Sequence, residues 1–420
     1  MTLYLDRDRL VATMEEQATY GATEDGGLHR LALTEADREI RDWFVDQLRA
    51  ADLSVRIDEF GNIFGRREGS DPDAPPVLLG SHLDSQPNGG IYDGALGVVA
   101  ALEFVRTLND EDIETTHPVE VVNWTNEEGS RFQPAMQGSG VWAGVHDITA
   151  ERAKTDDDGS MLCEALDSIG YHGTAPAAPN TEYDAYLELH VEQGPKLAEA
   201  SADVGVVTGI VGFTWGRVTF YGEADHSGPT PMHRRSDAFV AAADLITAIR
   251  RIPGTLGDQT VGTVGYVHAE PNSINVIPGE VTVTWGFRDP DDRIVEQAYQ
   301  QVLTEAEHAA QREGVDYETE ERMRASAVSF PDRPVDAVRQ AAETLDTRSL
   351  ELVSGAGHDA THLTSVCDTG MVFAVSEGGK SHSPSEFTSS DDCYEASNVL
   401  ANAALRLRLK RQSEPGLQFS

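Results

Sequence analysis

Residues 28–50 open on a capping sequence, Thr34-Glu-Ala-Asp37, after which apolar positions recur at helical spacing and predict a helix. Val77–Leu79 and Val119–Trp124 read as short buried strands, each running into a loop of polar residues, and Gly94–Leu108 between them reads as a helix. A strand–helix–strand order of this kind predicts a mostly parallel sheet covered by helices. Loops that follow such strands are where α/β enzymes place their chemistry. The pattern changes near residue 204. A Val/Gly-rich stretch, Val204–Val211, precedes an alternating strand at Trp215–Gly222, a helix at Asp237–Ile252, strands at Thr260–His268 and Glu280–Arg288, and a helix at Asp291–Glu313. That β-α-β-β-α order predicts a compact α+β unit. After about residue 326 the style of the first half returns. The predicted fold class is therefore α/β, with a discontinuous mostly parallel-sheet domain over residues 1–210 and 327–420 and an inserted smaller α+β domain over residues 211–326.

Composition sharpens this picture. Among 420 residues, 71 acids stand against 32 bases, giving a net charge of −39. A chain this acidic repels nucleic acid and anionic membranes, so neither is an expected partner. Lysine occurs only at Lys154, Lys196, Lys380 and Lys410, so arginine supplies nearly all the positive charge. A halophilic protein is expected, in which counterions screen self-repulsion. Hydrophobic residues make up 40% of the chain, which is ordinary for a globular protein and argues against disorder. The amino terminus carries charges through its first turns and lacks a signal-peptide apolar centre, and no apolar run is long enough to span a bilayer, so a cytoplasmic location is expected. Cys163, Cys367 and Cys393 are few, scattered and odd in number, so any metal site must use nitrogen and oxygen ligands.

Five polar clusters carry candidate chemistry. In Gly80-Ser-His-Leu-Asp84, His82 and Asp84 lie two apart and project to one side of an extended chain, where a carboxylate could hold the second imidazole nitrogen of a metal-binding histidine. In Gly89-Gly-Ile-Tyr-Asp-Gly94, Asp93 lies between glycines just before a helix and could bridge two cations. In Asn126-Glu-Glu-Gly129, adjacent acids can point two ways, one to a metal and one to the attacking water. His190-Val-Glu-Gln-Gly194 and Ser381-His-Ser-Pro-Ser-Glu386 complete the set. Taken singly, each group is most often a cap or a solvated polar residue. Together they place His, Asp, Glu, His and His at strand-to-loop junctions, a set suited to two divalent ions of borderline softness, zinc or manganese.

These residues, with Gly26-Gly-Leu-His-Arg-Leu31, Asp58-Glu-Phe-Gly-Asn62, His226-Ser-Gly-Pro-Thr-Pro-Met232, Pro271–Gly279 and Ser354-Gly-Ala-Gly-His-Asp359, give the chain a resemblance over nearly its whole length. It resembles the hydantoinase/carbamoylase amidases of the dinuclear M20 metallopeptidase clan, which include N-carbamoyl-L-amino-acid hydrolases, allantoate amidohydrolases and β-ureidopropionases. The resemblance implies that His82, Asp93 and His190 hold one metal and that Asp93, Glu128 and His382 hold the other, with zinc first and manganese or cobalt as other fits. It implies Glu127 as general base and Asp84 as the residue that orients His82. It assigns Gln193, His226, Asn275, Arg288, Gly357 and His358 to the substrate, with Arg288 as a two-pronged carboxylate clamp and His226 and Asn275 facing a developing oxyanion. It also implies a homodimer formed through the inserted domain, with His226 reaching a neighbouring active site. Two positions depart from the family pattern: Gly286 replaces an acid two residues before Arg288, and Ser227 replaces the commoner alanine after His226.

The expected activity is metal-dependent hydrolysis of the C–N bond of an N-carbamoyl-L-amino acid or related ureido acid, a small-molecule substrate. The alternatives are an allantoate or ureidoglycolate amidohydrolase, an N-acyl amino-acid hydrolase or peptidase of the same clan, and a catalytically dead binding protein. His190 disfavours many of the peptidases, which resemble this chain but carry a carboxylate there. Retention of Glu127 with all five ligands disfavours a dead protein.

Overall fold

The computed structural model describes residues 2–409. The chain divides into two compact units, Met1–Thr208 with Phe330–Ser420, and Gly209–Ser329. The first unit is built on a sheet whose centre is parallel. Strand Val77–His82 lies between Val119–Trp124 and Ala185–Val191, and Asp368–Ala374 follows on the far side of Ala185–Val191. Antiparallel strands extend the sheet on both sides: Ile63–Arg67 and then Ser54–Ile57 beyond Val119–Trp124, and Val204–Ile210 beyond Asp368–Ala374. Every residue of Val77–His82, Val119–Trp124 and Ala185–Val191 is buried, as expected of parallel strands covered on both faces.

Helix Glu35–Ala50 is capped by Thr34, whose hydroxyl accepts the Asp37 amide at 3.4 Å. Helix Ala95–Asp110 has an apolar surface nearly all round and is almost wholly buried. It starts after Gly94, whose φ of 64° lies in the left-handed region. A Cβ at Gly94 would stand 2.4 Å from the His82 ring, so only glycine lets this helix begin where it does.

The second unit is a five-stranded antiparallel sheet in the order Val267–Glu270, Glu280–Asp289, Gly212–Tyr221, Asp316–Ala325, with Val261–Thr263 also paired to Glu280–Asp289. Helices Ala238–Arg251 and Asp292–Glu313 cover one face. Val281, Val283, Trp285 and Phe287 are buried in the core they form, while Thr282, Thr284, Gly286 and Arg288 alternate onto the other face. Two features differ from the sequence expectation. The single strand expected over Thr260–His268 is two short strands, Val261–Thr263 and Val267–Glu270. Thr263 pairs with Gly286 and Val267 with Val283, so four steps on one strand span three on the other and the extra residue breaks the ladder. A further strand, Asp316–Ala325, was not expected, because nine of its ten side chains are exposed and it shows no apolar alternation. It forms as the edge partner of Gly212–Tyr221.

Candidate metal centre

The parallel strands deliver the candidate residues at their carboxyl ends. His82 is the last residue of its strand, Asn126–Glu128 follow Trp124, His190 sits one residue before the end of its strand, and His382 lies in the loop after Ala374. His82 Nδ1 donates to the Asp84 carbonyl at 3.0 Å, and His190 Nδ1 donates to the Val191 carbonyl at 3.0 Å. Both rings are thereby held with Nε2 turned toward Asp93. His190 Nε2 lies 3.0 Å and His82 Nε2 3.5 Å from Asp93 Oδ1. His382 Nε2 lies 3.5 Å from both Asp93 Oδ2 and Glu128 Oε2. Two donor groups result, His82–Asp93–His190 and Asp93–Glu128–His382, each with its atoms within 4.8 Å of one another and both using Asp93.

These groups fit a pair of divalent cations. Their donors are imidazoles and carboxylates, the set borderline metals take. His82 Nε2 is buried and has no hydrogen-bond partner, although it faces the other donors. The electrostatics point the same way. Burial pushes the Glu128 carboxyl up to about 8, with the charge of Asp93 adding to it. Burial also raises Glu127 well above the carboxylate range. Burial acts against the Asp93 charge too, but His190 and His82 hold its carboxyl well below the usual value. Carboxylates crowded in so little water gain from any positive charge placed among them.

Asn126 has a φ of 54°, a turn that asparagine tolerates, and beyond it the two acids diverge. Glu127 Oε2 lies 3.5 Å from His82 Nε2, while both oxygens of Glu128 are held by Gln86, through its amide N–H at 3.0 Å and its side-chain nitrogen at 2.8 Å. Glu127 belongs to neither donor group. Asp84 differs from the sequence expectation. Its carboxylate stands 3.8 Å from His82 Nδ1, and the carbonyl takes that hydrogen bond instead. The carboxylate accepts the amides of Glu127 and Glu128, each at 3.2 Å. A buried carboxylate finds two N–H donors in the neighbouring loop, so Asp84 fixes the Glu127–Glu128 backbone and reaches His82 through its own main chain.

The other candidates fall into two groups. In the first unit, Gln193 donates from Nε2 to Asp93 Oδ2 at 2.7 Å. The His358 ring packs 4.4 Å from that of His190, with Nε2 at 3.0 Å from the Ser354 hydroxyl; burial holds this imidazole well below its ordinary pKa, so it is neutral. Gly357 precedes it, and a Cβ there would lie 3.1 Å from the Met136 methyl. In the second unit, His226 pairs with Val276, and the Ser227 amide donates to the Asn275 carbonyl at 3.0 Å, which makes His226 and Asn275 neighbours. Arg288 lies on that unit's five-stranded sheet and not on the two-stranded ribbon of His226, its guanidinium 5.9 Å and 6.0 Å from the Phe213 and Trp215 ring centres. Gly286 pairs with Trp215, and a Cβ there would stand 3.1 Å from the indole Cδ1. Phe213, paired with Arg288, and Trp215, paired with Gly286, thus flank the arginine.

A parallel-sheet domain with this donor cluster at its strand ends, interrupted by an α+β unit, is the architecture of a hydrolase of the metallopeptidase type. The chain belongs to peptidase family M20/M25/M40, whose model matches residues 78–406, and within it to the hydantoinase/carbamoylase amidases. It is 40% identical over 401 residues to an N-carbamoyl-L-amino-acid amidohydrolase of Rhizobium meliloti, covering 96% of each chain. It is 34% identical over 377 residues to an allantoate amidohydrolase of Bacillus subtilis, covering 90% of this chain and 92% of the relative. The crystal structure of a hydantoinase/carbamoylase family amidase from Burkholderia multivorans superposes with a TM-score of 0.92 at 42% identity, over 96% of this chain and 98% of that one.

Proposed function

We propose that this protein hydrolyses the carbamoyl C–N bond of an N-carbamoyl-L-amino acid, with two divalent ions at the candidate centre and Glu127 as general base. One observation carries this reading: two donor groups share Asp93, and Glu127 stands beside them in neither. His82, Asp93 and His190 would hold one ion, and Asp93, Glu128 and His382 the other. When bound, a divalent pair supplies Lewis acidity toward a carbonyl and toward water, with zinc the first choice and manganese or cobalt also fitting. Glu127 takes the proton of the attacking water and delivers it to the leaving nitrogen. Asp84 holds the loop on which Glu127 sits. Gln193, Gly357 and His358 are the proposed substrate residues of the first unit, and His226, Asn275 and Arg288 those of the second, the proposed dimerisation unit. A homodimer is supported by apolar side chains exposed there, Phe239 and Val240 on one helix and Val267 on the edge strand. Among the described residues no helix is long and apolar enough to cross a membrane.

Allantoate and ureidoglycolate also carry a carboxylate near a urea nitrogen, and the likeness to an allantoate amidohydrolase keeps them as the second reading. Ammonia release from a panel of N-carbamoyl-L-amino acids, allantoate and ureidoglycolate tests the choice. Turnover of the carbamoyl compounds with the highest kcat/KM is expected, and turnover of none of the panel would overturn the reading. Arg288→Lys on the same panel tests the clamp. It keeps the charge and loses the two-pronged fit, so kcat/KM should fall on the order of 10-fold or more for carboxylate substrates. An amide analogue lacking the carboxylate should lose little. Equal losses on both would make Arg288 structural.

The net charge of −39 supports a protein of high-salt surroundings. At molar salt the screening length shrinks to about 3 Å, so repulsion among exposed carboxylates is quenched. The melting temperature is expected to rise by more than about 5 °C between dilute buffer and molar potassium chloride, the scale of roughly 4 kcal/mol in a chain of 420 residues. An unchanged melting temperature would remove the halophile reading.

A further inference from the structure

The motif that carries His382 ends on Glu386, a buried acid to which the proposed chemistry gives no part. Its carboxylate is fully engaged. Oε1 accepts the amide of Tyr92 at 3.1 Å and that of Asp93 at 3.0 Å, and Oε2 accepts the Ser381 hydroxyl at 2.6 Å. The Ser381 hydroxyl also lies 2.9 Å from Asp93 Oδ2. Glu386 therefore grips the main chain of the residue shared by both donor groups, and does so from the loop that supplies His382. The fit is close: a Cβ at Gly90 would fall 2.1 Å from Oε1.

We propose that Glu386 is a positioning residue that locks the Asp93 loop to the His382 loop, and so sets the affinity of the Asp93–Glu128–His382 position for its cation. A carboxylate accepting two amides in a buried place makes charge-assisted hydrogen bonds, which are the strong kind. Without them the Asp93 carboxylate keeps Gln193, Ser381 and the two imidazoles, and its carbonyl keeps the Ala95 amide, but its N–H loses the tie to the loop that carries His382. Outer partners of this sort change metal affinity by about 10-fold to 100-fold when removed. The inference rests on the two-cation reading of the site.

The test is a calorimetric titration of chelator-treated protein with zinc, for the parent chain, Glu386→Ala, Glu386→Gln and Gly90→Ala. The parent is expected to bind two zinc ions, and Glu386→Ala to bind the weaker of them at least about 10-fold less tightly. Glu386→Gln keeps one oxygen for the two amides and offers its NH2 to the Ser381 oxygen, so its affinity should stay within about 3-fold of the parent, a rescue that general loss of packing would not give. Gly90→Ala displaces the same carboxylate with Glu386 still present and should weaken the same step. It also decides the matter if Glu386→Ala does not fold. Parent-like affinity for both ions in Glu386→Ala and Gly90→Ala would overturn the proposal while leaving the two-cation reading intact. A parent chain that binds fewer than two ions would instead sink that reading, and this inference with it.

Discussion

Exhaustive chelation is expected to abolish ammonia release, with activity returning on addition of zinc, manganese or cobalt. The loss should exceed every single substitution considered above, because the ions would activate the water and polarise the carbonyl at once. A second readout does not depend on activity. Asp84, Asp93 and Glu127 lie within 3.8 Å of His82 and Glu128 lies in the adjoining donor group, and burial raises the carboxyls of Glu127 and Glu128. Cations there should stabilise the fold, by about 2.7 kcal/mol for an ion present at 100 times its dissociation constant. The chelated protein should therefore melt lower, and titrated zinc should restore the melting temperature together with the activity. Full turnover in protein shown by elemental analysis to hold no metal would refute the two-cation reading.

Glu127→Gln should lower kcat by at least on the order of 10²-fold, the scale of a lost general base and worth about 2.7 kcal/mol of barrier. The amide is nearly the same shape and keeps one acceptor, but it cannot take the proton of the water. The metals should remain, because Glu127 lies in neither donor group and Glu128 is separately held by both nitrogens of Gln86. The closest rival role is a direct ligand, since Glu127 Oε2 is as near His82 Nε2 as Asp93 Oδ1 is, at 3.5 Å. Metal content and kcat, measured on one preparation, separate the two. A variant that loses metal and works normally once reloaded would make Glu127 a ligand and not the base.

The sequence by itself determined the fold class and brought out the candidate donors. Short apolar runs ending in polar loops, at Leu79 and Trp124, gave the parallel sheet, because strands covered on both faces must be apolar throughout. His82, Asp93, Glu128 and His190 lie beside glycine or at a strand end and His382 in a polar loop, and the structure gathers them in two groups that share Asp93. Tertiary structure decided the rest. Residues separated by as many as three hundred positions meet only because parallel strands end at one edge of a sheet, a relation no local pattern carries. The supports were invisible for the same reason: Gln86 on Glu128, Ser381 and Glu386 on Asp93, and the Asp84 carboxylate on the Glu127–Glu128 amides are contacts between loops distant in the chain. Spacing alone put the Asp84 carboxylate on His82, since the two lie on one side of an extended strand. In the fold two amides of a neighbouring loop offer that buried charge better hydrogen bonds, and the ring takes the carbonyl. Strand Asp316–Ala325 escaped notice because an edge strand with exposed side chains has no hydrophobic pattern to show. Its existence follows from the backbone hydrogen bonds that Gly212–Tyr221 leaves open, which only the assembled sheet presents.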